Sequence, residues 1–197
     1  MKSLHAWAAL AAGVVIFGCA TEPRRGDWVA LFDGKNLDHW YTVGMANWRI
    51  EGDSVVADKK PGKDYGYLVT KKFYTDFQIK AEFWVSHDAN SGIYMRCGNP
   101  EVLNDKICYE ANIFDQRKDP SYGTGAITNI AKVDPMPRAG GKWNTFDITI
   151  KGDHIVVILN GQKTVDIRDK KFTNGRIALQ YAEGVVKFRN VQVRELD

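Results

Sequence analysis

The chain has 197 residues and a formal net charge of +3, with 44% hydrophobic and 26% charged residues. That length suits one domain with a sizeable core, and the interspersed acids and bases offer no electrostatic case for nucleic acid. Its 6 Trp, 8 Tyr and 9 Phe suit a β-rich core and also a surface that stacks on sugar rings.

Residues 1–18 read as an export signal, with a charge at Lys2 followed by the apolar run Ala6–Phe17. That run is short for a membrane span, which makes a transmembrane helix the weaker reading. Ile16-Phe17-Gly18-Cys19 resembles the lipobox of bacterial lipoproteins. The resemblance implies cleavage before Cys19, lipidation of that residue, and an envelope protein that meets the membrane through its anchor only. The alternative is an ordinary signal cleaved a few residues later, for instance after Ala20. Residues 19–26 then form a tether to a domain at 27–197.

Within that domain, Trp28–Phe32 reads as a strand, followed by a turn at Asp33-Gly34-Lys35-Asn36. Trp48–Ile50 and Ser54–Ala57 form a hairpin about Gly52, and Tyr67–Thr70 is a further strand. Phe77–Ser86 alternates without a break, placing Phe77, Ile79, Ala81, Phe83 and Val85 on one side, as expected of a strand near the middle of a sheet. Asn90–Cys97 and Cys108–Asp115 form the next hairpin. Asp119–Gly125 and Asp134–Gly141 are loops that could rim a site, with Ala126–Ala131 as a strand candidate between them. Phe146–Ile150, Ile155–Leu159, Arg176–Gln180 and Val185–Val193 complete a meander. Asn160-Gly161 is a strong hairpin turn, and the step from Phe188 to Val191 breaks the alternation as a bulge would. No segment of ten residues carries helical periodicity. The class is all-β, and two stacked antiparallel sheets bury these strands economically.

The Asn90–Asp115 hairpin carries the chemistry. Ile93 and Met95 alternate with Tyr94 and Arg96, while Tyr109, Ala111 and Ile113 alternate with Glu110 and Asn112. With both apolar sets in the core, Tyr94, Arg96, Glu110 and Asn112 share the opposite face, a composition suited to a sugar site. The plainer reading is a solvated sheet face with one Arg–Glu pair. Cys97 and Cys108 are two thiols in an exported chain, a setting that favours a disulfide. A bridge within regular ladder pairing would put Met95 opposite Glu110 and remove Arg96 from that face. The alternatives are therefore a bridge beyond the paired strands or two free thiols.

Several motifs follow one another in the order of a known family: Leu31–Trp40, Tyr74–Phe77, Asn90–Arg96, Tyr109–Asp115, Gly141–Phe146, Gly175–Gln180 and Phe188–Val191. Over Trp28–Leu196 the chain resembles the 3-keto-disaccharide hydrolase domain. The resemblance implies a concanavalin A-like jelly-roll sandwich of two curved antiparallel sheets. It also implies cleavage of glycosides oxidised to a ketone at C3, by a lyase and hydratase route. In one respect the chain departs from the family pattern: many relatives carry a histidine two residues past Gln180, where Ala182 stands here.

A ketone at C3 acidifies the C2 proton, so the chemistry needs a base and a group that stabilises an enolate. Glu110 is the candidate base, provided burial raises its pKa. Arg96 is the candidate partner of the developing charge, and Asn112 the orienter. Arg96 touching Glu110 would weaken the base, so Arg96 should engage substrate instead. Asn90, Tyr94, Gln180, Trp84 and Trp143 are candidate sugar contacts, and His87 lies near the hairpin beside Asp88. Glu110 and Asp115 superficially resemble the paired acids of retaining glucanases. Their Cα atoms would however stand about 13 Å apart along a strand, where a retaining pair needs carboxylates about 5–5.5 Å apart. A lectin-like module, in which Trp84, Tyr94 and Trp143 stack on sugar, is the reading outside enzymes. No dense His/Asp cluster declares a metal, which leaves a divalent cation open and no other cofactor indicated.

Overall fold

The computed structural model describes residues 23–99 and 101–197. The export signal and the lipidation expected at Cys19 lie outside these residues. Thirteen strands build the domain: β1 (Val29–Phe32), β2 (Trp40–Val43), β3 (Arg49–Glu51), β4 (Ser54–Ala57), β5 (Gly66–Thr70), β6 (Phe77–Val85), β7 (Asn90–Cys97), β8 (Tyr109–Ile113), β9 (Trp143–Lys151), β10 (His154–Leu159), β11 (Gln162–Arg168), β12 (Arg176–Glu183) and β13 (Val186–Glu195). A single 3₁₀ turn, Pro120–Tyr122, interrupts the loop after β8. Among the described residues no helix is long and apolar enough to cross a membrane.

The strands pair antiparallel in two sheets. One runs β11-β10-β9-β6-β13-β4-β3, with β1 also against β13, and the other runs β2-β5-β12-β7-β8. β6 lies mid-sheet between β9 and β13, as its alternation predicts. Its inward set Phe77, Ile79, Ala81, Phe83 and Val85 meets Ile93 and Met95 of β7, Tyr109, Ala111 and Ile113 of β8, and Ile177 and Leu179 of β12 in one continuous core. Phe83 stacks on Phe146 at 5.0 Å and lies 6.4 Å from Phe188. Period-two patterning therefore gives each sheet one face for this core and one face outward.

The turns follow their residues. Asn160 and Gly161 both adopt positive φ (53° and 80°) in the two-residue link from β10 to β11, the geometry that Asn-Gly accommodates at least cost. The bulge expected near Phe188 falls between Arg189 and Gln192, with Asn190 at φ 48°. Ala126–Ala131 forms only isolated bridges. Its first part nevertheless runs along the free edge of β8: Asn112 N donates to Ala126 O, Gly125 N to Asn112 O and Thr128 N to Glu110 O.

A second irregularity overturns part of the sequence reading. β7 and β8 pair as expected, Tyr94 opposite Glu110 and Met95 opposite Tyr109, but Arg96 then takes φ 54°. This left-handed residue reverses the alternation. Cys97 consequently lands on the Tyr94 face and bonds to Cys108 just beyond the last paired residues. Arg96 is turned away from that face, only 2% exposed, at the end of the sandwich.

Candidate functional site

The outer face of the five-stranded sheet carries two adjoining rows. Gln180 of β12 sits between Tyr67 of β5 and Gly92 of β7, and Gly92 faces Asn112 of β8. In the next row Ala178 pairs with Tyr94, which pairs with Glu110. Paired residues share a face, so this register gathers Tyr67, Gln180, Tyr94, Asn112 and Glu110 from four strands. Gly92 is the gap in the arrangement: a Cβ there would stand 3.0 Å from Glu110 Oε1 and 3.1 Å from its Cγ. The missing side chain leaves room for the glutamate to lie across β7.

Glu110 is 5% exposed and is the buried carboxylate of this face. Burial pushes its pKa up to about 7; the Thr128 and Tyr94 hydroxyls beside it pull down, Asp105 pushes up and Arg117 pulls down. Neither hydroxyl reaches Glu110 in good hydrogen-bond geometry, since Thr128 Oγ1 has no partner and the bond recorded at Tyr94 Oη comes from Gln180. Desolvation therefore dominates.

Glu110 lines a small open cavity of about 100 Å³ together with Tyr65, Asn90, Tyr94, Asp105, Arg117, Thr128 and Gln180. Ligand pockets commonly measure about 300–1,000 Å³. The cavity therefore suits one reacting edge of a sugar, with the remainder lying over its rim. Among the described residues, three buried polar atoms on this face lack any protein partner: Gln180 Oε1, Asn112 Oδ1 and Thr128 Oγ1. Native interiors rarely leave such atoms unpaired, and two of the three residues, Gln180 and Thr128, line the cavity, where a hydroxylated ligand would pair them.

The candidate residues divide into two groups. Asn90, Tyr94, Gln180 and Glu110 meet at the cavity. Asn112 lies on the same face, its amide donating to Tyr122 O at 2.7 Å. Arg96 is separated from Glu110, which corrects the expected pairing. Its guanidinium donates to Thr75 O (2.8 Å), Gly152 O (2.8 Å), Phe172 O (2.9 Å) and Asp76 Oδ1 (2.9 Å), joining three loops. Trp84 and Trp143 face each other across β6 and β9 on the outer face of the other sheet. Lys187 and Arg189 lie over their rings at 5.2 and 3.9 Å, and their place on the other sheet keeps them from stacking on a sugar held at Glu110. Asp115 accepts hydrogen bonds from Thr124 Oγ1 (2.6 Å), Ala139 N (3.0 Å) and Gly140 N (2.9 Å), and so ties down a loop instead of acting as a second catalytic acid. His87 is exposed and packs against Gly140 and Gly141.

Sequence reasoning missed Tyr65, Asp105, Arg117 and Thr128. Thr128 arrives through the pairing along the β8 edge, and Asp105 through the loop closed by the Cys97–Cys108 bridge. Within that loop Leu103 O accepts from Tyr67 Oη at 3.1 Å, and Asn129 donates to Asp105. The two thiols were the one signal that this loop is fastened to the site. Among the described residues no group of three or more His, Cys, Asp or Glu side chains could hold a metal ion. Asp105 and Glu110 alone do not form such a set.

Comparison with known proteins adds to this geometry. No curated protein matches the chain. A Parabacteroides distasonis protein provisionally named a glycosyl hydrolase superposes with a TM-score of 0.74 at 21% identity, over 86% of this chain and 94% of that one. A second structure from the same organism, named likewise, gives 0.69 at 24% identity over 86% and 100%. The carbohydrate-binding module CBM66 of Bacillus subtilis gives 0.61 at 15% identity over 80% and 96%. At these identities the likeness is one of fold, a concanavalin A-like jelly roll. The profile of the 3-keto-alpha-glucoside-1,2-lyase-like domain matches residues 27–194, and on that match the chain belongs to this carbohydrate-active family.

Proposed function

We propose that the chain cleaves glycosides carrying a ketone at C3 of the glucosyl ring, with Glu110 as the base that removes the C2 proton. The observation that carries this reading is a buried carboxylate with a pKa of about 7 at the floor of a cavity lined by unpaired polar groups. An ordinary carboxylate is a weak base at neutral pH, whereas one near 7 matches its protonation state to the task.

Glu110 takes the C2 proton, and the C–H electron pair becomes the C2=C3 bond of an enolate with its charge on O3. Collapse of the enolate restores the C3 ketone, forms C1=C2 and expels the glycosidic oxygen, which recovers a proton and departs as an alcohol. Water then adds, its hydroxyl to C1 and a proton to C2, so the net change is hydrolysis. Gln180, Asn90 and Thr128 hold ring hydroxyls. Arg117, at the rim, supplies positive potential that Arg96 cannot, because the Arg96 donors are spent on backbone carbonyls and Asp76. Ala182 contributes no titratable group, and of the two carboxylates at the cavity, Asp105 and Glu110, the buried one is Glu110.

The test is turnover of a 3-keto-glucoside followed by NMR, comparing wild type with Glu110→Gln. Transient 3-keto-2-hydroxy-glucal and a fall in kcat of about 10²–10⁴-fold in the variant support the reading. Sugar binding without turnover would make the domain a lectin-like module instead. The proposal also takes the protein to be an exported lipoprotein anchored at Cys19. Mass spectrometry of the native protein finds a lipid adduct there if this holds, and residues before Cys19 if it does not.

A further inference from the structure

The geometry points to Tyr94 as the catalytic hydrogen-bond donor to O3 of the enolate, with Gln180 as the residue that orients it. This inference rests on the 3-keto-glucoside reading and assigns a role that reading leaves open.

Any group serving O3 while Glu110 serves the C2 proton must stand close to Glu110, because the two substrate atoms are separated by only three bonds. Directly paired residues on adjacent strands hold their Cβ atoms about 5 Å apart. Tyr94 is the residue paired with Glu110 on β7, and both side chains line the same cavity. Gln180 Nε2 donates to Tyr94 Oη at 3.1 Å, which occupies an acceptor site of the phenol and directs its proton elsewhere. Tyr67 packs edge-on against the Tyr94 ring at 5.4 Å, while its own hydroxyl is committed to Leu103 O. The Tyr94 ring is thus clamped with its hydroxyl at the cavity, beside Glu110. Burial first, and the Glu110 carboxylate second, raise the Tyr94 pKa, so the phenol remains a neutral O–H donor at working pH.

Thr128 flanks Glu110 from the other side and is the rival donor. An aliphatic hydroxyl is the weaker acid of the two, and Thr128 has no neighbouring donor to orient it. It is assigned to a ring hydroxyl, and Tyr94 to the developing charge. The Tyr94 proton stays on the phenol throughout: it strengthens its hydrogen bond as O3 becomes negative and relaxes when the ketone re-forms, so no net transfer is required. Such a donor acts on the transition state more than on the ground state.

The test uses the whole protein, a 3-keto-glucoside and its C2-deuterated form. Tyr94→Phe should lower kcat by about 10²–10³-fold, the loss expected for an oxyanion donor. KM should change little, and the deuterium effect should grow as deprotonation becomes more limiting. The pH limb set by Glu110 should move up modestly, because the Tyr94 hydroxyl holds that pKa down while burial dominates it. Gln180→Met should lower kcat by a smaller factor and add nothing to the kcat loss of Tyr94→Phe when the two are combined, because it acts through the phenol. Thr128→Val should raise KM and leave kcat within a few-fold. A thermal melt confirms folding of each variant. Near-wild-type kcat in Tyr94→Phe, a deuterium effect that does not grow, or the large kcat loss falling on Thr128→Val would overturn the assignment while leaving Glu110 as base. Wild type that leaves the 3-keto-glucoside untouched would remove the underlying reading and this inference with it.

Discussion

Glu110 and Arg96 are both buried, both ionisable and both on the same hairpin, yet their surroundings are opposite. Arg96 is satisfied by three carbonyls and a carboxylate. Glu110 has no full hydrogen bond to a protein side chain among the described residues, and unpaired polar atoms lie around it. A charge whose donors are spent on backbone carbonyls and a structural carboxylate is a fastener. A charge kept dry beside unpaired groups is stored reactivity, and its desolvation cost is borne by the rest of the fold.

Substitution should separate the two roles. Glu110→Gln should abolish most turnover yet stabilise the fold at neutral to alkaline pH. A carboxyl with a folded-state pKa of about 7, above its ordinary value near 4.5, holds its proton longer when folded. Its contribution to stability is therefore complete below about pH 4.5 and is lost as pH rises through about 7, a change on the order of 3 kcal/mol. Chemical denaturation at pH 5 and pH 8 should show wild type falling relative to the variant, and parallel curves would break the comparison. Arg96→Met should do the reverse, costing about 3–5 kcal/mol of stability by removing the cation from Asp76 and the donors from three carbonyls. In the folded fraction kcat should be close to wild type; a large kcat loss there would return Arg96 to the chemistry.

Parity along β7 and β8 made half of this legible in advance. Alternation alone put Tyr94 and Glu110 on one outward face, and the structure pairs them directly. Alternation could not foresee the left-handed turn at Arg96, because the partners that hold it, Asp76, Gly152 and Phe172, come from distant parts of the chain. Nor does a period of two say to which sheet an outward residue belongs, which is why Trp84 and Trp143 read as sugar contacts but sit on the other side of the sandwich. Asp105, Arg117 and Thr128 come from loops, where no periodicity announces a direction.

Smaller effects sharpen the contrast at the margins of the site. Reducing the Cys97–Cys108 bridge, which closes a sequence separation of 11, should cost about 2–3 kcal/mol by loop entropy. It should also raise KM by loosening the loop that carries Asp105. Thermal melts and kinetics with and without reductant measure both; an unchanged KM would show that the bridge serves stability alone. Gly92→Ala should cost about 1–3 kcal/mol through overpacking against Glu110 and lower kcat by displacing the carboxylate. Unaltered kinetics in that variant would mean that the glutamate does not need to lie across β7.

The central claim is that the fold holds Glu110 dry enough to be a base at neutral pH. ¹³C NMR titration of the glutamate side-chain carboxyls, with the Glu110 resonance assigned by its loss in Glu110→Gln, measures this directly. An inflection at about 7 is the expected result. An inflection at the ordinary glutamate value, near 4.5, would contradict it.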